Sequence, residues 1–309
     1  MTAASEFRAA IVTSLGHAPE EIEPGRLVRF ATSGRRGDTA GWAKLFDDHL
    51  AGVYGCHRSG ISGLWTAKQW SPLSAVGLAD RSRAIQRAKQ ERDAELAEQW
   101  KANRERNDVA LGECGPITDG DPVAMYLARR HLTARPFPPC LQIHRCLAYW
   151  RDGAALGKWP AMVAPLTSPG GQVVALHRTY LTADGQKAPV ATVKKLTGAS
   201  GSLAGAAIRL SEPSAGVLGV AEGIETALAA RFGSGVPTVA AYSAGALAGF
   251  QWPNGLTRLV VFADADEPGR VAAEALRRRA LLAGLECAVH APSTEGADWA
   301  DVWAQGESE

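Results

Sequence analysis

Two stretches decide the fold of this chain: residues 217–228, VLGVAEGIETAL, and residues 259–266, LVVFADAD. Each begins with an uninterrupted apolar run and continues into acidic residues. An apolar run without polar alternation is typical of a strand that is buried on both faces, as in a parallel sheet covered by helices. The two stretches therefore predict buried parallel strands that both end in carboxylates.

The residues that follow the first strand alternate between helical and strand patterns. The predicted elements are a helix at 225–232, a strand at 236–242, a strand at 259–263, a helix at 268–282 and a strand at 287–290. Strands that alternate with helices favour a parallel sheet with helices on both faces. The sequence thus predicts an α/β domain with a Rossmann-like sheet over residues 214–309.

The acidic residues come directly after the predicted strands. Glu222 follows the first strand, and Asp264 and Asp266 follow another. Ligand sites in open parallel sheets form outside the carboxyl ends of the strands. Neighbouring ionised carboxylates repel one another, and a divalent cation such as Mg²⁺, which prefers oxygen ligands, removes that cost. The sequence therefore predicts a metal site of Glu222, Asp264 and Asp266, with Asp298 and Asp301 as further ligands.

Each acid also has a simpler structural explanation. Asp266 precedes Pro268 and a predicted helix, so its side chain can cap the helix N-terminus. Glu222 can favour the positive start of the helix that follows it. The predicted placement of all these acids at one sheet edge is what favours a functional site over isolated caps.

These stretches resemble the two halves of the Toprim motif, which is found in bacterial primases, type IA and type II topoisomerases and some nucleases. Residues 296–302, GADWADV, resemble the tail of Toprim domains from plasmid- and phage-type primases. The resemblance implies that Glu222, Asp264 and Asp266 bind Mg²⁺ or Mn²⁺ and take part in phosphoryl transfer.

The resemblance continues upstream of the acids. Residues 171–181, GQVVALHRTYL, together with Lys187, Lys194 and Lys195, resemble the basic lobe that precedes Toprim in such primases, here residues 136–213. It implies that Arg178 and the three lysines bind nucleotide or DNA, and cationic side chains do neutralise phosphate charge. The alternative for these residues is a solvated basic strand face.

The N-terminal part has a different composition. Residues 1–75 predict a small β-rich module with Trp65 and Trp70 packed in it, and residues 76–135 predict a helical connector. The module resembles the segment that opens mobile-element primases, a place where many primases hold a zinc ribbon. The paired cysteines of a ribbon are missing, because Cys56-His57 does not have zinc-ligand spacing. No zinc is therefore predicted.

Composition limits the class of protein. The chain has 309 residues, a net charge of +1 and five cysteines without a C-x-x-C pair. Such a length predicts about two domains, and the cysteine usage favours a cytoplasmic protein without disulfides. The segment after Met1 lacks the apolar core of a signal peptide, and no apolar run approaches the roughly 20 residues of a membrane span.

Together these patterns predict a DNA primase-like nucleotidyltransferase that makes short RNA or DNA primers on single-stranded DNA from nucleoside triphosphates with Mg²⁺ or Mn²⁺. No P-loop motif is present, so a replicative helicase would be a separate partner. The same acids suit two alternatives, a Toprim metal-dependent nuclease and a non-catalytic nucleic-acid-binding accessory of such a helicase.

One further alternative belongs to another class of enzyme. Tyr242-Ser243 lies at a predicted strand-to-helix turn, and Asp264 and His290 follow in the order of an α/β-hydrolase triad. The first glycine of the nucleophile elbow is missing, and too few strands precede it for that fold. Ser243 is more simply a helix N-cap.

Overall fold

The computed structural model describes residues 2–33, 38–67 and 75–306. Trp70 lies outside the described residues. The chain divides into two compact units, Met1–Glu98 and Gln99–Glu309. The finer predicted boundaries at residues 75, 135 and 213 stay predictions.

The helices and strands are as follows. The helices are α1 (Ala3–Leu15), α2 (Ala75–Gly112), α3 (Pro122–Ala128), α4 (Ile224–Ser234), α5 (Ala244–Ala248), α6 (Glu267–Leu282) and α7 (Trp299–Gly306). The strands are β1 (Val28–Phe30), β2 (Gly41–Leu45), β3 (Ala51–Cys56), β4 (Ser62–Thr66), β5 (Gly115–Pro116), β6 (Gln142–Arg151), β7 (Ala154–Thr167), β8 (Val173–Tyr180), β9 (Lys194–Leu196), β10 (Val217–Ala221), β11 (Thr238–Ala240), β12 (Arg258–Phe262) and β13 (Glu286–His290). Among the described residues, no helix has both the length and the apolar character required to cross a bilayer.

The first unit contains an antiparallel sheet in the order β1-β2-β3-β4, which confirms the predicted β-rich N-terminal region. Helix α1 was not predicted. Phe7 and Ile11 lie one helical turn apart on α1 and are fully buried. The ring of Phe7 packs 5.5 Å from that of Trp65 on β4 and 6.1 Å from that of Tyr54 on β3. The module therefore closes its core with a helix.

The second unit begins with an antiparallel sheet in the order β5-β6-β7-β8-β9. Successive residues of a strand point to opposite faces, so this sheet has two separate cores. One face packs Tyr149, Leu176 and Tyr180. The other face packs Met162 and Ala175 in one core with helix α4. Neighbouring residues of β8 and β9 therefore point their side chains to opposite faces of this sheet.

The C-terminal sheet has the order β11-β10-β12-β13, and all its pairs are parallel. Helices α5 and α6 cover one face, while α4 and α7 contribute to the core on the other face. The predicted α/β domain with a Rossmann-like parallel sheet is therefore confirmed. Ala207 bridges to Thr167 and Ile208 to Ala240, so the chain passes from the antiparallel to the parallel sheet at this point.

Candidate active site

The register of the parallel sheet brings the predicted acids to one edge. Ala221 on β10 pairs with Phe262 on β12, so both strands end at the same level. Glu222 follows β10 directly, and Asp264 comes two residues after the end of β12. Asp266 caps α6 immediately beyond. The three acids of the predicted site therefore gather at the carboxyl ends of two neighbouring strands.

The charges of these acids act on one another. The pKa of Asp264 is raised to about 7 by burial and then by the negative charges of Glu222, Asp298 and Asp266. Burial, followed by the charge of Asp266, raises the pKa of Glu222. We call these four residues the acidic edge. The only cation that opposes the rise for both Glu222 and Asp264 within the described chain is Lys194.

Some oxygens of the acidic edge already have partners. Asp266 Oδ1 accepts a hydrogen bond of 2.7 Å from the Gly269 backbone N–H, which confirms its role as an N-cap. The Glu222 carboxylate accepts a hydrogen bond from the backbone N–H of Ala244 at the start of α5. Asp264 differs, because its Oδ1 is buried and has no hydrogen-bond partner among the described residues. A buried acceptor without a donor is costly unless a ligand satisfies it.

This donor set fits a divalent cation that is only partly held by protein. Within residues 2–33, 38–67 and 75–306, no group of three or more His, Cys, Asp or Glu side chains is arranged to hold a metal ion by itself. Mg²⁺ characteristically takes one or two carboxylates and completes its shell with water and substrate phosphate. The unpartnered oxygen of Asp264, beside Glu222, meets that requirement without a closed protein cage.

The two later aspartates have different environments. The Asp298 carboxylate forms an ion pair with the Arg130 guanidinium, with 3.7 Å between Oδ2 and Nη2. Its charge also contributes to the raised pKa of Asp264. Asp301 forms a reciprocal capping box with Asp298 at the start of α7, with hydrogen bonds of 2.9 and 3.2 Å. The structure thus brings Asp298 to the acidic edge and engages the Asp301 carboxylate with the helix backbone.

The predicted basic residues also have different environments, because they lie on different faces of the antiparallel sheet. Lys194 pairs with Thr179, and Lys195 pairs with Arg178, in neighbouring positions of β8 and β9. Because adjacent strand residues alternate, the two lysines point to opposite faces. Lys194 faces the acidic edge, where its charge lowers the pKa values of the acids. Lys187 is exposed in the loop between β8 and β9.

Arg178 and Lys195 lie on the other face of the antiparallel sheet. Arg178 donates to the Leu196 carbonyl at 2.8 Å and to the Tyr180 hydroxyl at 3.1 Å. Lys195 donates to the Trp150 carbonyl at 2.6 Å and lies 4.8 Å from the centre of the Tyr149 ring. The structure therefore does not bring these two side chains to the acids.

A buried network beside Lys194 escaped sequence analysis. Glu225, in the first turn of α4, is only 4% exposed at its side chain. Its Oε1 accepts from the Tyr126 hydroxyl at 2.6 Å, and its Oε2 accepts from Lys194 Nζ at 2.8 Å. Although burial acts to raise it, the charge of Lys194 and these hydrogen bonds hold the pKa of Glu225 well below its usual range. We call these three residues the tether.

Part of this network had a signal in the sequence. Glu225 comes three residues after Glu222 and lies in the first turn of the helix that follows the predicted site residue. Tyr126 had none, because it lies 99 residues before Glu225 and the pairing depends on how α3 packs. His177, buried on the same sheet face as Lys194, has its pKa lowered to about 4, chiefly by burial.

Comparisons with known proteins divide the second unit into two parts. The sequence model of the Toprim domain matches residues 217–309, and a domain of unknown function (DUF7146) matches residues 101–210. No curated protein matches the chain in sequence. All four residues of the acidic edge lie in the Toprim region, whereas Tyr126 and Lys194 lie in the region matched by DUF7146.

Several solved structures of primases are similar to parts of this chain. The primase fragment of the bacteriophage T7 primase-helicase protein is 15% identical, with 60% of this chain aligned to 66% of that chain at a TM-score of 0.37. A primase domain from Pseudomonas aeruginosa is 14% identical, with 57% of each chain aligned at 0.35. The RNA polymerase domain of the Mycobacterium tuberculosis primase DnaG is 17% identical, with 68% aligned to 76% at 0.40. The chain spans less than two thirds of the length of the first two.

Proposed function

We propose that this chain, which carries a Toprim domain in residues 217–309, is a primase-type nucleotidyltransferase that joins nucleotides on single-stranded DNA with Mg²⁺ or Mn²⁺. The observation that carries the proposal is the buried, unpartnered Oδ1 of Asp264, at an edge where Glu222, Asp266 and Asp298 add further negative charge. Such an arrangement is stabilised by a cation and, through the cation, by a phosphate.

The roles of the acids follow from their surroundings. Asp264 and Asp266 would hold the cation directly, with Asp266 binding through the oxygen that does not cap α6, and Glu222 would lie beside them. When bound, the cation supplies positive charge that stabilises the phosphates of a nucleoside triphosphate during transfer. Glu222, whose pKa is raised, is suited to accept the proton of an attacking 3′-hydroxyl. The new bond then joins that oxygen to the α-phosphorus, and pyrophosphate leaves.

Lys194 supplies the positive charge of the protein in this scheme. Its ammonium is partly exposed and lies beside the acidic edge, where it can contact a triphosphate that the cation holds. Arg178 and Lys195 are not part of this scheme, because they occupy the opposite sheet face. Lys187 is exposed, and contact with the DNA backbone is the role we propose for it. A separate replicative helicase is the proposed protein partner.

The experiment is primer synthesis on single-stranded DNA with labelled nucleoside triphosphates and either Mg²⁺ or Mn²⁺. Wild type is compared with Asp264→Ala and with Asp301→Ala, a matched control whose carboxylate accepts a hydrogen bond from the backbone N–H of Asp298. We expect metal-dependent oligonucleotides from wild type and Asp301→Ala and none from Asp264→Ala. Degraded DNA in place of primers would assign the site to a nuclease. Salt-sensitive DNA binding without either activity would assign it to an accessory protein.

A further inference from the structure

The tether holds one lysine between two sets of acids. Lys194 Nζ lies 2.8 Å from Glu225 Oε2, and its charge also lowers the pKa values of Glu222 and Asp264. The ammonium therefore has two anionic destinations, the buried Glu225 and the acidic edge. In the structure it occupies the first.

Glu225 is unusually well placed to keep the lysine there. Its carboxylate is buried, and the Tyr126 hydroxyl donates to its other oxygen at 2.6 Å, which fixes the orientation of the group. Tyr126 is itself 3% exposed and packs within the core shared by α3 and α4. Tyr126 and Glu225 are thus anchored in packed structure, and only the lysine end of the hydrogen-bonded chain is open to solvent.

We propose that Glu225 is a positioning residue that holds the Lys194 ammonium in an ion pair, so that it does not pair with Asp264 or Glu222, and that these acids thereby stay open to the cation while the other N–H donors of the ammonium stay open to a phosphate. The inference rests on the proposed function for the identity of the phosphate. A lysine side chain carries its ammonium on a flexible stem of four carbons. Without a fixed partner, the ammonium can rotate towards the nearest negative charge. Without Glu225, that charge is the acidic edge.

A released Lys194 would compete with the metal. It would neutralise Asp264 in the metal-free protein, and a divalent cation would then have to displace it. The predicted sign is specific: loss of Glu225 weakens metal binding although it removes no metal ligand. A general structural role of Glu225 would weaken binding whether or not residue 194 is a lysine.

The test measures binding of Mn²⁺ alone by electron paramagnetic resonance. The proteins are wild type, Glu225→Gln, Lys194→Ala and the double variant. We expect Glu225→Gln to weaken Mn²⁺ binding about tenfold, the scale of a hydrogen bond to a charged group. Lys194→Ala should bind Mn²⁺ at least as well as wild type, and the double variant should match Lys194→Ala.

Two results would overturn the tether: equal Mn²⁺ affinity in wild type and Glu225→Gln, or a loss that persists in the Lys194→Ala background. If Glu225→Gln does not fold, Tyr126→Phe should show the same lysine-dependent loss at about threefold, since one hydrogen bond to Glu225 is removed. A parallel titration with a non-hydrolysable nucleoside triphosphate and Mg²⁺ tests the proposed function. Wild type that binds Mn²⁺ but no nucleotide would overturn that function, while the Mn²⁺ comparison would still decide the tether.

Discussion

Glu222 and Glu225 lie three residues apart, one between β10 and α4 and the other in the first turn of α4, yet their environments drive their pKa values in opposite directions. Glu222 belongs to the acidic edge, where burial and the charge of Asp266 raise its pKa. Glu225 is more deeply buried, but Lys194 and Tyr126 more than offset the burial and lower its pKa. Burial alone therefore does not distinguish a functional carboxylate from a structural one, whereas the presence of a matched partner does.

The comparison separates two uses of negative charge. In the tether, Lys194 balances the charge of Glu225 and both Lys194 and Tyr126 hydrogen-bond to it, so the ionised carboxylate is stabilised where it stands. At the acidic edge three carboxylates and one ammonium act on Asp264, so its ionised form costs stability unless a cation is bound. Regions of the second kind are where a fold sacrifices stability for binding.

The largest expected effects come from replacing Glu222 or Glu225 with glutamine, which has a neutral amide in place of the carboxylate. Glu222→Gln should lower nucleotidyl transfer by about 100-fold or more and leave the free energy of unfolding unchanged or slightly higher. Glu225→Gln should lower the free energy of unfolding by about 3 kcal/mol, because two hydrogen bonds to a buried charged acceptor are weakened. Chemical denaturation and primer synthesis on both variants check this. Loss of stability in Glu222→Gln would contradict the contrast.

The second effect concerns the hydroxyl of Tyr126. Tyr126→Phe removes one hydrogen bond to a buried charged acceptor, and we expect the free energy of unfolding to fall by about 2 kcal/mol. Tyr242→Phe is a suitable control. Tyr242 is half-buried against the same core, and its hydroxyl does not contact the tether. Urea denaturation compares the two, and equal losses would argue against the tether as a stabilising unit.

The third effect is a pH dependence of the acidic edge in metal-free protein. The Asp264 carboxyl titrates near pH 4 in an unfolded chain and has a pKa of about 7 in the folded one. Between these values the folded state holds more protons, so the free energy of unfolding falls as the pH rises from 4 to 7 and then levels off. Below pH 4 the contribution is fully present.

Asp264→Asn should remove most of that fall. Because solvent screens a half-buried carboxyl, the stabilisation expected at pH 8 is about 1 kcal/mol rather than the full amount the shift implies. Thermal unfolding of both proteins at pH 4 and pH 8, in the presence of a chelator, measures it. An equal loss of stability with rising pH in the two proteins would place the titration elsewhere.

The smallest effect separates Asp301 from the acidic edge. Asp301→Ala removes one half of the capping box of α7, and we expect it to cost about 0.5 kcal/mol of stability without changing Mn²⁺ affinity. Isothermal titration with Mn²⁺ and thermal unfolding check both statements. A clear fall in Mn²⁺ affinity would make Asp301 a ligand, as its position after the last strand predicts.

Much of this architecture could be predicted from local patterns. The apolar runs that end at Ala221 and Phe262 indicated buried parallel strands, and the sheet has them. Helix α1 was missed although Phe7 and Ile11 have helical spacing and Gly16 follows the helix with a positive φ of 76°. In the sequence itself, the signals for this helix are the spacing of Phe7 and Ile11 and the glycine at position 16.

The site was predictable only in part. Asp266 was weighed as an N-cap and as a ligand, and it does cap α6, because a strand end and a helix start coincide at that position. Lys194 and Lys195 could not be told apart from composition. Alternation in β9 required that they face opposite ways, but which one faces the acids depends on the pairing of Lys194 with Thr179.

By itself, the sequence determined which apolar runs form the strands of the C-terminal domain and that Glu222, Asp264 and Asp266 follow them, because hydrophobic runs are local properties. Only the tertiary structure decided that Asp264 keeps an unpartnered oxygen and that Tyr126, Glu225 and Lys194 form one network. The residues of that network come from α3, α4 and β9. Partners so far apart along the chain meet through packing, which no local pattern encodes.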